Sequence, residues 1–372
     1  MKLKQRFVFV KAIVESFYSY YLCRINSIEN KSRKYVLFNI ESRISERHYA
    51  FLLYCFNQIG VKVVIVFNYH FFGNATSYAK YLSSLSNLEL RFTFPDPENC
   101  LLLITDKLDD RNNLKYRRRI FIKIDFIDLI NKKLRSNLMP FSMIPRIYYT
   151  DNYDLSDAVK YKMNRKFRVF FSGNVNPEVY NNRVINELFG KLTRVQIIEF
   201  LKNVLRSDEI EPFRSLEQLN IGNYTNKFVF SDWSRKSTTE KVIKGRITNS
   251  NWLNTLSETD FFLACPGFIQ PMCHNVIEGL SVGSIPILEY AEMFNPPLKH
   301  GIDALVFSGL EDLKTKVRLA LNMQPEEIYK LRVNVLKYYD NYLAPSAVAR
   351  NLLCNKNDIA TYYLIESGYL SK

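Results

Sequence analysis

Apolar residues in this chain gather in short continuous runs that alternate with stretches of helical spacing, the pattern of buried parallel strands joined by helices. KYVLFNI (34–40) enters a polar loop, and His48 to Ile59 then carries apolar residues at helical spacing, closed by Gly60 as a C-cap. VKVVIVFNYH (61–70) follows as a continuous apolar strand. Strand, helix and buried strand in that order predict a βαβ unit. CLLLITD (100–106) and IFIKIDF (120–126) read as further central strands. MPFSMIPRIYYTDNY (139–153), with two prolines and no periodicity, reads as an interdomain linker.

The same pattern begins again at KFRVFFSGN (166–174), a buried strand ending in a Ser-Gly-Asn loop. Helical spacing covers about 179–204, and NKFVFSD (226–232) and DFFLACPG (260–267) are strands, the second stopped by Pro-Gly. A helix, NVIEGLSVG (275–283), and the strands SIPILEY (284–290) and DALVF (303–307) come next. Pro325 opens a helix running to about 343, and helical spacing returns over 345–367. The expected fold class is α/β, with two facing Rossmann-like domains and a C-terminal helical tail. The boundaries fall at 1–150 for the first domain, 151–344 for the second, and 345–372 for a tail able to cross back to the first. Ligands of such sheets bind beyond the carboxyl ends of the strands, which points to loops 41–48, 68–74, 172–177, 265–275 and 289–298.

Composition narrows this picture. A 47% hydrophobic and 24% charged chain with only 12 Gly and 13 Pro is globular, which excludes disordered and low-complexity classes. The net charge of +14 is uneven. Residues 1–150 hold 24 Lys and Arg against 12 Asp and Glu, and the remainder hold 27 against 25. The excess therefore sits in the first domain and asks for a polyanionic partner there. Residues 111–135 alone carry nine Lys or Arg, yet their aromatics alternate as in a buried strand and match no nucleic-acid module. No nucleic acid is expected. The N-terminal segment combines a basic head with a wide aromatic face (Phe7, Val10, Val14, Phe17 and Tyr21), suiting either a membrane interface or the protein's own core. Lys11 and Glu15 interrupt it, so it makes neither a secretory signal nor a span. Six scattered cysteines without a CxxC pair read as reduced thiols of a cytosolic protein.

The chemistry concentrates in residues 261–307. A strand ends at Pro266-Gly267, a polar loop runs to His274, and a helix opens at Asn275, a favoured N-cap whose free backbone N–H groups suit a diphosphate. Glu278 lies one turn in, where a carboxylate can accept both hydroxyls of a ribose. Each of these residues alone would serve equally as a plain helix cap or first-turn carboxylate. Together, FLACPG, then HNVIEGLSVGSIPI, then the Pro-rich loop Phe294 to Leu298 resemble the donor-binding half of GT-B-fold glycosyltransferases, exostosin-like enzymes above all. The resemblance covers roughly residues 165–345. Two departures stand out: His274 and Asn275 occupy positions where the family usually has Arg, and Gln270 replaces the first Glu of the pair seven residues apart in many retaining enzymes. A fucosyltransferase-like enzyme of the same fold is an alternative.

The resemblance implies a metal-independent glycosyltransferase, inverting rather than retaining, that moves a sugar from a nucleotide-sugar donor to a saccharide acceptor. Such an enzyme would act in bacterial surface-polysaccharide assembly, with a glycan or lipid-linked glycan acceptor. The donor would be held by Ser172, Gly173, Asn174, Arg246, Pro266, Gly267, Gln270, His274, Asn275 and Glu278. A general base would come from the first domain, Glu41 foremost and then His48, with Glu46 in the same loop and His70 at the end of the next strand. Neither metal nor cofactor is expected. Asp96-Pro97-Glu98 imitates a metal-binding pair, but the flanking prolines make it a turn. The basic first domain would meet an anionic leaflet, placing the protein at the inner face of the cytoplasmic membrane. The competing classes are a scaffold that binds polyanions through a degenerate nucleotide fold, and a transferase of a nucleotide-activated alcohol phosphate.

Overall fold

The computed structural model describes residues 33–41, 46–66, 85–107, 110–124, 138–149, 153–213, 224–234 and 247–364. The chain divides into two compact units. Among the described residues, one comprises those up to Tyr149 and from Tyr342 onward, and the other runs from Tyr153 to Asn341.

The first unit begins β1 (Tyr35–Asn39), α1 (Glu46–Gln58), β2 (Lys62–Val66), β3 (Leu88–Arg91), β4 (Cys100–Thr105) and β5 (Arg119–Lys123). β1 is buried along its whole length, as a central strand covered on both faces must be. It pairs in parallel with β2 and β4, Leu37 standing opposite Val64 on one side and Leu103 on the other. Residues 48–56 of α1 are all buried, so this helix is packed on more than one side. The segment 139–153 is not a free linker where it is described. Phe141 stands edge-on to His48 with ring centroids 5.2 Å apart, and Tyr148 lies 5.1 Å from Phe51. Its aromatics are core of the first unit, a role two prolines do not advertise.

The second unit runs β6 (Phe167–Gly173), α2 (Arg183–Phe189), α3 (Arg194–Val204), β7 (Ile210–Pro212), β8 (Tyr224–Asp232), α4 (Asn249–Ser257), β9 (Thr259–Leu263), α5 (His274–Ser281), β10 (Ile285–Leu288), β11 (Leu305–Val306), α6 (Gly309–Asn322) and α7 (Pro325–Tyr338). Its sheet is parallel, in the order β11-β10-β9-β6-β8-β7. The helical stretch expected over 179–204 is broken at Gly190, which caps α2 in the left-handed conformation before α3 starts.

After α7 the chain returns to the first unit with α8 (Pro345–Leu353) and β12 (Ile359–Tyr363). The tail is thus not helical throughout. Residues Ile359–Tyr363 pair in parallel with β5, completing a six-stranded sheet in the order β12-β5-β4-β1-β2-β3. The apolar pattern of 345–367 misleads because β12 is an edge strand whose partly covered side chains lack strict alternation. Both units are therefore Rossmann-like α/β sheets.

The amino end of the second sheet holds a buried charge cluster. Asp260 accepts from Arg332 and lies 3.4 Å from Arg168. Arg165 donates to the Thr259 carbonyl at 2.9 Å and to that of Val282, at the end of α5, at 2.7 Å. Gly283 makes this possible: it has φ +75°, and a Cβ there would stand 2.9 Å from Arg332 Cγ.

Candidate functional site

The second sheet reverses its winding between β6 and β9, with β8 beyond one and β10 beyond the other. The crevice past the carboxyl ends of two such strands is where open α/β sheets bind ligands. Ser172 and Gly173 end β6 and Asn174 follows, while Pro266-Gly267 lies just beyond β9. One side chain joins the two strand ends. Arg194 donates from Nε and Nη2 to the Pro266 carbonyl, at 3.1 and 2.9 Å, and from Nη1 to the Asn174 carbonyl at 3.2 Å. Its guanidinium lies over the Tyr180 ring, 4.0 Å from the centroid, and Phe268 stands edge-on to that ring.

Local sequence explains this placement. Thr193 and Gln196 form a reciprocal capping box that starts α3 with Arg194 as its first residue. Glu289, just past β10, accepts from the Leu192 backbone N–H at 2.7 Å and from that of Gly309 at 2.9 Å, pinning the approaches to α3 and α6. Arg194 is buried, and among the described residues no carboxylate lies within ion-pair distance of it. A buried cation surrounded by neutral carbonyls favours the approach of an anion.

The loop from Cys265 to Cys273 completes the crevice. Gly267 has to be glycine for a steric reason: a Cβ there would meet the Gln270 carbonyl oxygen at 2.8 Å and that of Met272 at 3.2 Å. Gln270 is buried within the loop. The N-cap of α5 is Cys273, two residues before the Asn275 that the sequence reading expects, and His274 is the first helical residue. Asn275 is therefore inside the helix, and its side-chain oxygen has no hydrogen-bond partner among the described residues. Glu278 is fully buried. Its Oε1 is 2.9 Å from His274 Nδ1, and its Oε2 accepts from the Trp252 indole N–H at 2.5 Å. Tyr290 is wholly buried within electrostatic reach of Cys265, Cys273 and Arg194, and its hydroxyl has no hydrogen-bond partner among the described residues. Burial pushes that hydroxyl well above the ordinary range of a phenol, with the two thiols adding to the effect.

In the first unit the corresponding reversal lies between β1 and β4. Glu41 sits there, largely exposed, with its carboxylate 3.6 Å from Lys107 Nζ. Its backbone N–H donates to Asp106 Oδ1 at 2.8 Å, and the Tyr49 hydroxyl reaches the other oxygen of Asp106 at 3.3 Å. His48 is different. It is buried on α1 against Phe141, a core position that a reacting hydroxyl does not reach. Asp96 accepts from the Glu98 backbone N–H and caps a short 3-10 turn, the plain turn its prolines predict. Arg246 and His70 lie outside the described residues, as does the Glu46 side chain.

The strand-end residues Asn174 and Pro266 are thus brought together by Arg194, and His274 and Glu278 pair with each other. Arg194, Trp252 and Glu289 were not singled out by the sequence reading. Only Arg194 carries a local signal, the Thr-x-x-Gln capping box that brackets it.

No protein-family model matches this chain, and neither does any curated protein. Among solved structures, a glycosyltransferase from Rickettsia africae aligns over 87% of this chain and 100% of its own, at 11% identity and a TM-score of 0.46. Anabaena HepE in complex with UDP aligns over 86% of this chain and 98% of its own, at 10% identity and a TM-score of 0.44. The same protein with UDP-glucose gives 85% and 97%, 9% identity and 0.40. At such values the functional argument rests on this chain's own residues.

Proposed function

We propose that the protein is a glycosyltransferase that moves a sugar from a nucleotide-sugar donor to a saccharide acceptor. The observation that carries this reading is Arg194, a buried guanidinium that no carboxylate among the described residues pairs with and that spans the switch point of the second sheet. When the glycosidic bond to a nucleoside diphosphate breaks, negative charge grows on the departing phosphate, and fixed positive groups aimed there lower the barrier. Arg194 supplies a full charge, and the first turn of α5 supplies backbone N–H groups. Ser172, Gly173, Asn174, Pro266 and Gly267 form the walls. Neither task calls for a metal. The acceptor would bind the first unit, where Glu41 at the β1–β4 reversal is the candidate base of an inverting reaction.

The basic first unit would approach an anionic membrane. Its support is the 3-10 turn Arg111–Lys115, where Leu114 is 67% exposed between Arg111 and Lys115, with Arg117 exposed just beyond. An exposed apolar residue flanked in sequence by Arg111 and Lys115 suits an anionic leaflet, where each surface cation contributes about 1 kcal/mol; Arg117 is in addition paired with Asp358. Among the described residues no helix is long and apolar enough to cross a membrane. A peripheral place on the inner face of the cytoplasmic membrane, serving bacterial surface-polysaccharide assembly, completes the proposal.

Thermal-shift titration with UDP, GDP, CDP, CMP and TDP tests the donor reading. One nucleoside diphosphate should raise the melting temperature, and Arg194→Met should remove the rise. A native protein that responds to none of them refutes it. Flotation with liposomes that contain or lack phosphatidylserine tests the membrane reading, with Leu114→Ser weakening recovery on the anionic ones.

A further inference from the structure

Arg194 and the start of α5 would serve the diphosphate of a donor, not the sugar attached to it. Resting on the donor reading, we propose that Phe268, with Tyr180 beside it, is the platform on which the transferred sugar stacks, and that this sugar is a pyranose.

A lone exposed apolar side chain is ordinary on a protein surface. Phe268 differs in its place and its company. It is 46% exposed, whereas residues 265–266 and 269–272 on either side of it are buried. Its loop is pinned. The Gly267 N–H donates to the Pro271 carbonyl at 3.3 Å, and Arg194 holds the Pro266 carbonyl with two hydrogen bonds. A fixed backbone therefore presents the ring at the crevice beyond β9. Tyr180 closes a short helical turn, Pro177–Tyr180, after β6. The Arg194 guanidinium, 4.0 Å from the Tyr180 centroid, holds that ring beside the charge. Guanidinium, Tyr180 and Phe268 thus follow one another in contact, and the Phe268 ring is one aromatic ring away from the diphosphate-facing cation. The angle between the rings selects the occupant. A nucleobase is flat on both faces and is held best in a slot between parallel side chains. Phe268 and Tyr180 instead meet at 76°, with centroids 6.4 Å apart, and form a corner. A pyranose suits a corner: the C–H bonds of one face lie on Phe268, and the ring's edge meets the second aromatic. An open-chain polyol phosphate offers no such face, so the corner favours a glycosyl donor over an activated alcohol phosphate. Phe268 is then a residue that sets specificity for the sugar, apart from the groups that hold the diphosphate.

The test is calorimetric titration of the native full chain, Phe268→Ala, Phe268→Leu and Phe268→Trp. The probes are the nucleoside diphosphate preferred by the native protein and its conjugates with glucose, galactose and mannose. At least one conjugate should bind the native chain more tightly than the bare diphosphate does. Phe268→Ala should weaken that conjugate by about tenfold, the scale of one aromatic contact, and leave the bare diphosphate unchanged. Phe268→Leu keeps apolar bulk without a flat face and should lose as much, while Phe268→Trp should keep the native affinity. The ring is exposed, so tryptophan-detected melting should be the same for Phe268→Ala, Phe268→Leu and the native chain, which separates lost binding from lost fold. A loss shared equally by the bare diphosphate would put the ring under the nucleoside and overturn the assignment. So would a conjugate affinity that Phe268→Ala leaves intact, or a native chain that binds no conjugate better than the bare diphosphate. A native chain that binds no nucleoside diphosphate at all overturns the donor reading itself, an outcome distinct from these.

Discussion

Among the described residues, Asp260 is the carboxylate in ion-pair reach of the buried Arg332 and Arg168 at the amino end of the second sheet, and its replacement by Asn perturbs that unit strongly. Burial pushes the Asp260 carboxyl up, against the pull of Arg332, Arg168 and Arg165. Burial likewise lowers Arg332, against the pull of Asp260. Both members of the pair are thus costly to desolvate and tolerable only together. Removing one partner of a buried pair leaves the other charge unmatched, at a cost of about 3–5 kcal/mol. Arg332 is fully buried, and two of its other contacts are to the carbonyls of Lys162 and Met163, which do not neutralise it. For a unit of this size about 1 kcal/mol moves the midpoint by 2–4 °C, so Asp260→Asn should lower it by roughly 6–20 °C. The assay is selective, because the chain's two tryptophans, Trp233 and Trp252, both belong to the second unit and their emission reports its unfolding alone. Asp260→Leu combined with Arg332→Met should recover much of the loss, since an apolar pair replaces two desolvated charges. A shift below about 2 °C for Asp260→Asn, or a double variant as unstable as the single, would refute the argument.

Gly267→Ala should remove nucleotide binding with little change in melting temperature, because the added Cβ strikes the backbone of the site loop and not the core; titration and tryptophan-detected melting of one sample check both halves. Glu89 offers a pH test. Burial pushes its carboxyl up, but hydrogen bonds from Arg91 and Lys62 outweigh this and hold it below the ordinary value. A folded value below the unfolded one means stability that is present above the unfolded pKa, about 4.3, and lost as pH falls through the folded one. Hydrogen exchange of β2 and β3 peptides should therefore depend less on pH in Glu89→Gln over that acid range.

The regular part of this fold is legible in the sequence because central parallel strands are buried on both faces and show as unbroken apolar runs. KYVLFNI, CLLLITD and KFRVFFSGN fall on β1, β4 and β6 to within a residue or so at each end. Short and edge strands lack that signal. β3 presents alternating burial, β7 is three residues ending in Pro212, and β12 is an edge strand whose successive residues are only partly covered. Periodicity over such lengths does not separate strand from helix. Nor does it show that residues 139–149 belong to a core, since that depends on aromatic contacts with α1, a helix some 90 residues earlier.

The candidate site divides in the same way. Strand-end loops were readable because the topology rule needs only strands and their direction, and the His-x-x-x-Glu spacing shows that both side chains share one face of α5. What spacing leaves open is which way a carboxylate is spent. In the first turn of a helix Glu278 looks like a ligand group, and only the arrival of Trp252 from α4, 26 residues away, turns it inward. Arg194 escapes for the opposite reason. It lies in a chain stretch rich in Lys and Arg, where one more cation looks like surface, until the capping box and Glu289 fix the start of α3 and aim it at two carbonyls. Both residues draw their roles from contacts made across the sheet. A variant series confined to the motif 265–283 would therefore miss half of what sets donor affinity, and Arg194→Lys is the informative addition. Lysine keeps the charge but cannot hold both carbonyls as the fork does, so a loss of diphosphate binding with an unchanged melting temperature would assign Arg194 its effect through geometry as well as charge.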